Sequence, residues 1–375
     1  MLNSINIKNY RNLKELTINS LGRVNLITGK NNTGKSTLLE AIAIYATKGD
    51  MNVIIQLLED RGENIKTISD TTNNPIQAKI KSFASLFFNR TVGFDIVDAI
   101  SIGCIENTLS GDQLSSDNSV YLRFVKYIEE ISKDEQGHAT KKRRFFQDHS
   151  EMTNDYGIGF EIKSGDSSYL LSLDEDRLYP RFFINPLKHS VQILNTRNID
   201  KDINSGLFDN IALTDKEQHV INALKILEPL TERIAFVEEA QRKRTAVIKL
   251  SDYQNVIPLQ SMGDGINRIL TIILSLVNSD NGYLLIDEFE NGLHYTVQEK
   301  LWTIIFQLSK ELNIQVFATT HSEDCIRGFQ SALNCQKSLS DGKLFRLDNV
   351  NGIIKQVEFD AEELKIAAEQ DIEIR

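Results

Sequence analysis

The sequence predicts an α/β fold whose core is encoded in two halves separated by a long insertion. Near the start, Gly29-Lys-Asn-Asn-Thr-Gly34-Lys35-Ser36 completes a GxxxxGK[ST] pattern between an apolar strand, Val24 to Thr28, and the helical run LLEAIAIYA. Far downstream, the apolar runs YLLI and IQVFA each end in a polar cluster, Asp287-Glu288 and Thr319-Thr320-His321-Ser322. Continuous apolar strands of this kind belong to parallel sheets covered on both faces, and their carboxyl ends form the edge where open α/β sheets bind ligands. Between the two halves the pattern changes to separate helical and then alternating segments.

Residues 1–47 form the first half. Ile5 and Ile7 alternate in strand fashion, the chain turns through Asn9 to Asn12, and Leu16 and Ile18 resume the alternation before Val24 to Thr28. Gly29 and Gly34 permit a tight turn, so that the backbone of Asn31, Asn32, Thr33 and Gly34 can face an anion at the N-terminus of a helix from Lys35 to about Ala46. The pattern is that of a triphosphate-binding loop. Lys35 would neutralise the β- and γ-phosphates, Ser36 would hold the Mg²⁺ that bridges them, and Thr37 would add a hydroxyl near the α-phosphate.

Residues 48–230 are the insertion. Helical spacing runs through 49–90 (Val53, Ile54, Leu57, Leu58, then Ile80, Phe83, Ala84, Phe87), broken by a polar turn at 69–75. Residues 91–185 read mainly as β, with a hairpin turning at Ser164 to Ser167 and a short strand from Phe182 to Ile184. The polar stretch 132–156 reads as an exposed loop. It carries Lys141, Lys142, Arg143 and Arg144 followed by Phe145 and Phe146, a candidate DNA contact joining phosphate-neutralising charge to aromatic surface. A solvated basic loop accounts for the same residues, and the lesser cluster Arg242, Lys243, Arg244 has the same two readings. A helix at 214–228 closes the insertion.

Residues 231–375 form the second half. Two β segments, Ile234 to Glu239 and Thr245 to Leu250, precede Ser261-Met-Gly263-Asp-Gly265 at the start of the helical run INRILTIILSLVNS. That helix end is either a second anion site or an ordinary N-cap. The strand Tyr283 to Ile286 delivers Asp287, a Mg²⁺ ligand through the water shell, and Glu288, the base that orients and deprotonates an attacking water. His321, at the end of the next strand, can bond the γ-phosphate or that water. Two further β segments, LFRLDNV and GIIKQVEF, and the helix-like DAEELKIAAEQ follow.

Composition bounds the partners. A net charge of -10 excludes a uniformly basic nucleic-acid coat, so any DNA contact must be local. Cys104, Cys325 and Cys335 are scattered without metal-binding spacing, which fits a reducing cytosol. The N-terminus lacks a signal-peptide pattern, and the longest apolar run, Ile269 to Val277, is too short to span a bilayer. The expectation is a cytoplasmic protein with no membrane partner.

The order GKNNTGKST, SMGDG, LLIDEFENGLH, ATTHS resembles the ABC-type ATPases of the SMC, RecF and OLD branch, and the OLD-like ATP-binding proteins most of all. The resemblance covers residues 1–47 and about 230–375. It implies an ABC-type head with a mixed central sheet, binding ATP and Mg²⁺ and hydrolysing ATP. It also implies a homodimer that sandwiches two nucleotides, with Ser261 and Gly263 touching the γ-phosphate bound by the other subunit and Asn291 to His294 crossing the interface. Arg11 lies where this branch places a basic residue close to the nucleotide. Beyond that the resemblance points to bacterial DNA maintenance or anti-phage defence with a separate nuclease or effector. This chain departs from the pattern in having SMGDG in place of LSGGQ. It also has no identifiable Q-loop glutamine; Gln192 in SVQILNTR is the nearest candidate. Two other classes compete. Many OLD-like proteins are nucleases through a Toprim domain, but the segment after His321 holds no Glu plus DxD set. The ATP-binding subunit of a transporter is disfavoured by the long insertion and the missing LSGGQ.

Overall fold

The computed structural model describes residues 1–64, 74–108, 111–133, 139–145, 156–174, 190–195, 203–238, 244–263, 265–336, 341–359, 362–364, 366 and 374. The strand expected from Phe182 to Ile184, Arg242 and Lys243, and most of the helix expected after residue 360 lie outside them. In chain order, β1 (Ile5–Tyr10), β2 (Leu13–Ile18) and β3 (Val24–Thr28) lead into α1 (Lys35–Ala46), α2 (Met51–Asp60) and α3 (Pro75–Ala84). There follow β4 (Ile100–Thr108), β5 (Gly111–Lys133), β6 (Ala139–Phe145), β7 (Gly157–Ser164), β8 (Ser167–Ser172) and β9 (Val191–Leu194). Then come α4 (Ile203–Asp209), α5 (Asp215–Leu227), β10 (Thr231–Glu238), β11 (Arg244–Leu250), β12 (Ile257–Pro258) and α6 (Gly265–Val277). The chain ends with β13 (Tyr283–Ile286), α7 (Tyr295–Glu311), β14 (Gln315–Thr319), α8 (Glu323–Asn334), β15 (Gly342–Val350) and β16 (Ile353–Phe359).

The central sheet has the order β16-β15-β3-β14-β13-β9. Its strands run parallel except for β16, which pairs antiparallel with β15, so the sheet is mixed. Every residue of β3, β13 and β14 is buried, as their apolar runs require of strands covered on both faces. Alternate side chains enter two cores. Val24, Leu26, Leu284, Ile286, Val316 and Ala318 pack against α4 to α8, whereas Ile27, Tyr283, Leu285 and Phe317 pack toward α1 and a second sheet.

That second, antiparallel sheet runs β2-β1-β4-β5-β7-β8, with β6 on β5. The N-terminal hairpin β1–β2 therefore does not join the parallel sheet. It pairs through Asn6↔Gly103 and Ile7↔Ile102 with β4, so the chain division at residue 47 cuts through this sheet. A hairpin with Ile5, Ile7, Leu16 and Ile18 on one buried face needs an apolar layer to cover it, and α1, buried along most of its length, is that layer. Helix α2 is capped by Asp50, whose carboxylate accepts from the N–H of Asn52 and Val53, and α3 by Asn74 ahead of Pro75.

The exposed loop expected at 132–156 is corrected in part. Residues 139–145 form β6, pairing with β5 from Tyr127↔Phe145 to Lys133↔Ala139, because the long β5 extends far enough to offer their backbone a hydrogen-bonding partner. The predicted hairpin is β7–β8, with Gly165 at φ 55 in its turn. Among the described residues no helix is long and apolar enough to cross a membrane.

Candidate functional site

Strand order decides what meets at the carboxyl edge of the central sheet. Strands β3 and β13 do not pair, because β14 lies between them and hydrogen-bonds to both. The loop after β3, the acids after β13 and the polar cluster ending β14 therefore open side by side into one cavity of about 1240 Å³.

The loop begins at Gly29, with φ 139. A Cβ there would lie 2.4 Å from the carbonyl oxygen of Leu347 on β15, so no larger residue fits. Asn32 and Gly34 also take positive φ, and Gly34 occupies the N-cap of α1, leaving the first N–H groups of that helix to face the cavity. Thr33 braces the loop by donating its hydroxyl to the carbonyl of Lys30 at 2.8 Å. Lys35 is buried, and its ammonium donates to the carbonyls of Gly29 at 2.7 Å and Lys30 at 2.8 Å. Burial pushes its pKa down to about 8, against the opposing pull of Asp287, Glu290 and Glu288. A cation folded back onto its own loop in this way is held ready for an anion.

Ser36 donates its hydroxyl to Asp287 Oδ1 at 3.1 Å across 251 positions of sequence. The same carboxylate oxygen accepts the hydroxyl of Thr319 at 2.6 Å, and Thr319 in turn accepts the backbone N–H of Glu288 at 2.9 Å. Glu288 sits at φ 50, a left-handed conformation that a residue with a Cβ adopts only when its surroundings hold it. Ser36 and Asp287 offer two hard oxygens beside the phosphate loop. That donor set fits Mg²⁺, which takes one or two protein oxygens and fills its octahedron with phosphates and water. His321 lines the cavity, and its backbone N–H donates to Glu290.

Of the predicted site residues, Arg11, Asn31, Asn32, Thr33, Gly34, Lys35, Ser36, Thr37, Asp287, Glu288 and His321 line this one cavity. Gly29 lies at the base of the loop. Arg11, at φ 50, reaches the cavity wall, yet its guanidinium is held by Glu40 at 2.7 Å and Glu63 at 2.6 Å, binding the β1–β2 turn to α1 and to the end of α2. Ser261 and Gly263 are exposed in the turn before α6 and do not line the cavity of their own chain. In the turn Asn291 to His294, His294 caps α7 by accepting the N–H of Thr296. Gln192 stands on β9 opposite Leu284, on the other face from Ile193 and Asn195, which line the cavity. Asn195 is the residue that sequence reading missed. The β9–β13 register places it beside Asp287, and it donates to Asp60 at 2.6 Å. On β6, Arg143 pairs with Glu129 at 3.1 Å and Arg144 with Glu130 at 3.4 Å, so the acidic run of β5 faces the basic run. The side chains of Lys141 and Lys142 lie outside the described ones.

Comparison with known proteins follows this geometry. An "ATP/GTP phosphatase" of Helicobacter pylori is 26% identical over 381 residues, covering 92% of each chain. An uncharacterized protein of Methanocaldococcus jannaschii is 41% identical over 61 residues, 16% of this chain and 28% of that one. An SMC head solved in complex with the C-winged helix domain of ScpA aligns over 97% of this chain and 99% of its own, with 12% identity and a TM-score of 0.49, a loose likeness in sequence and coordinates alike. The model of one family matches residues 24–324, from the strand before the phosphate loop to the helix after His321, and the chain belongs to that family, described as "AAA domain, putative AbiEii toxin, Type IV TA system".

Proposed function

We propose that this P-loop ATPase works as a nucleotide-driven dimer switch. The observation that carries the reading is the hydrogen bond from Ser36 to Asp287, which closes the two distant halves of the sequence around one cavity with Lys35, Glu288 and His321 on its walls. Lys35 exchanges the carbonyls of Gly29 and Lys30 for the β- and γ-phosphates of ATP. Ser36 and Asp287 would hold Mg²⁺, whose positive charge would offset that of the phosphates. Glu288 orients the attacking water and accepts its proton, and His321 donates to the γ-phosphate or to that water. The name of the Helicobacter pylori relative supports hydrolysis. Exposure of Ser261 and Gly263 away from their own cavity suits contact with nucleotide held by a second copy, with the turn Asn291 to His294 at the interface.

The cycle so described would serve bacterial DNA maintenance or anti-phage defence from the cytoplasm, acting on a separate nuclease or effector. A DNA contact at β6 is the least supported part, since Arg143 and Arg144 already face carboxylates. Purified protein with Mg²⁺ and ATP should hydrolyse ATP without cutting plasmid DNA. Lys35→Ala should weaken ATP binding at least about 100-fold, roughly the loss of one or two charge-assisted hydrogen bonds. Glu288→Gln should keep ATP and accumulate as a dimer on a sizing column. Hydrolysis at the parent rate by Glu288→Gln would refute its role as base.

A further inference from the structure

Thr320 and His321 follow directly on β14, and both are tied to a side chain that lies outside the roles given so far. Glu290, half-buried in the turn after β13, spends one carboxylate oxygen on each. Its Oε2 accepts the hydroxyl of Thr320 at 2.7 Å and its Oε1 accepts the backbone N–H of His321 at 2.7 Å. The Thr320 backbone N–H is held by the carbonyl of Ile27, the residue before the last of β3, at 3.0 Å. The chain entering His321 is thus clamped between the strand that leads to the phosphate loop and the turn that follows the catalytic acids. Beyond the clamp, Ser322 caps α8 by accepting the N–H of Cys325 at 3.3 Å, so the backbone has little freedom on either side of the histidine.

We infer that Glu290 is a positioning residue for hydrolysis: its carboxylate, by accepting the Thr320 hydroxyl and the His321 N–H together, sets where the His321 ring stands over the phosphates. This rests on the reading of His321 as a group that bonds the γ-phosphate or the attacking water. A charge-assisted bond to a backbone N–H is directional and roughly twice as strong as a neutral one, and catalytic geometry is sensitive to displacements of about 1 Å. Glu290 also faces two cations, Lys35 and Arg268. The competing account is that it acts only as a negative charge balancing them. The two accounts separate on one substitution. Glutamine keeps a carbonyl oxygen for the His321 N–H, and its amide can donate to the Thr320 hydroxyl, so the clamp survives while the charge is lost.

The test is steady-state hydrolysis and equilibrium ATP binding by the full-length Glu290→Gln, Glu290→Ala, His321→Ala and Glu290→Ala/His321→Ala variants. Expected are a kcat for Glu290→Ala about 10- to 100-fold below the parent with ATP affinity within about threefold, and a kcat for Glu290→Gln within about threefold of the parent. In the His321→Ala background the alanine at 290 should lower kcat no further, since nothing remains to be positioned. Glutamine as damaging as alanine would overturn the inference in favour of the charge account. So would losses at 290 and 321 that multiply, which would mean the two residues act separately. If Glu290→Ala does not fold, glutamine and the double-variant comparison with Thr320→Val carry the same decision. A parent-rate His321→Ala would instead sink the reading of the histidine itself, a different failure from a slow His321→Ala beside a fast Glu290→Ala.

Discussion

Thr319→Val removes one hydroxyl from the last residue of β14 and keeps a β-branched side chain suited to a strand. Thr319 is 1% exposed, and its oxygen holds two things at once: the carboxylate of Asp287 at 2.6 Å and the N–H of Glu288 at 2.9 Å. Valine leaves that backbone donor without its partner, at about 1–3 kcal/mol. The carboxylate keeps Ser36 at 3.1 Å, so its loss falls at the lower end of the same range, and the sum is about 2–4 kcal/mol of stability. The kinetic effect is larger than the stability figure suggests. Glu288 is held at φ 50, a conformation that costs about 1–2 kcal/mol for a residue with a Cβ. Once its N–H is released the peptide can relax, swinging the carboxylate away from the water it serves. A displacement of about 1 Å is worth about 100-fold in turnover. Urea denaturation measures the first quantity, and ATP turnover at saturating Mg²⁺ and nucleotide the second, with ATP affinity as the control for an intact phosphate loop. A folded Thr319→Val enzyme with kcat within about threefold of the parent would show that the strained Glu288 does not depend on this hydroxyl, and the argument would fail.

Other substitutions probe the remaining geometry. Gly29→Ala would drive its Cβ to within 2.4 Å of the Leu347 carbonyl, a backbone atom that cannot move aside, so a large drop in melting temperature and loss of ATP binding should appear together in a thermal shift assay. Lys35, pushed down to about 8 by burial, is about half neutral at pH 8 and about nine-tenths neutral at pH 9 in the free protein. Because the folded protein holds this proton less tightly than the unfolded chain does, its free stability should rise from about pH 8 toward the ordinary lysine value. Triphosphate favours the charged form, so ATP affinity should fall through the same window with about half a proton taken up per ATP at pH 8. Calorimetry in buffers of different ionisation heat reads that uptake, and buffer-independent heats would count against it. Replacing Arg143 and Arg144 by alanine should change the salt slope of any DNA affinity by less than about one counterion per site, because Glu129 and Glu130 already face them. A flattening by about two would restore β6 as a DNA contact.

The phosphate loop was legible because its glycines, lysine and serine are contiguous and lie between an apolar strand and a helix, so local sequence carries the whole motif. Asp287, Glu288 and His321 were legible for a related reason, each closing an apolar run long enough to be a buried parallel strand. Thr319 and Glu290 sat inside the same quoted motifs without attracting a role. What marks them is a partner on a neighbouring strand, and cross-strand neighbours depend on strand order, which the pattern of apolar runs does not contain. Asn195 was missed by parity: Gln192 lies on β9 and Asn195 directly follows it, three residues on and so on the opposite side, and only the pairing of β9 with β13 shows which side is the cavity. The sheet membership of β1 and β2 failed to show for the same reason, since a hairpin's alternation says that one face is buried but not against what. The basic run at 141–144 looked like a loop because Lys-Lys-Arg-Arg has no apolar alternation, and its strand conformation comes from backbone pairing with the long β5.

The neighbours of β3 in the sheet have a consequence for how the molecule is made. This largely apolar strand pairs with β14 and β15, Gln315–Thr319 and Gly342–Val350, which leave the ribosome long after it does. Until they emerge it lacks both of those hydrogen-bonding neighbours. Chains stalled before that point should stick to holdase chaperones.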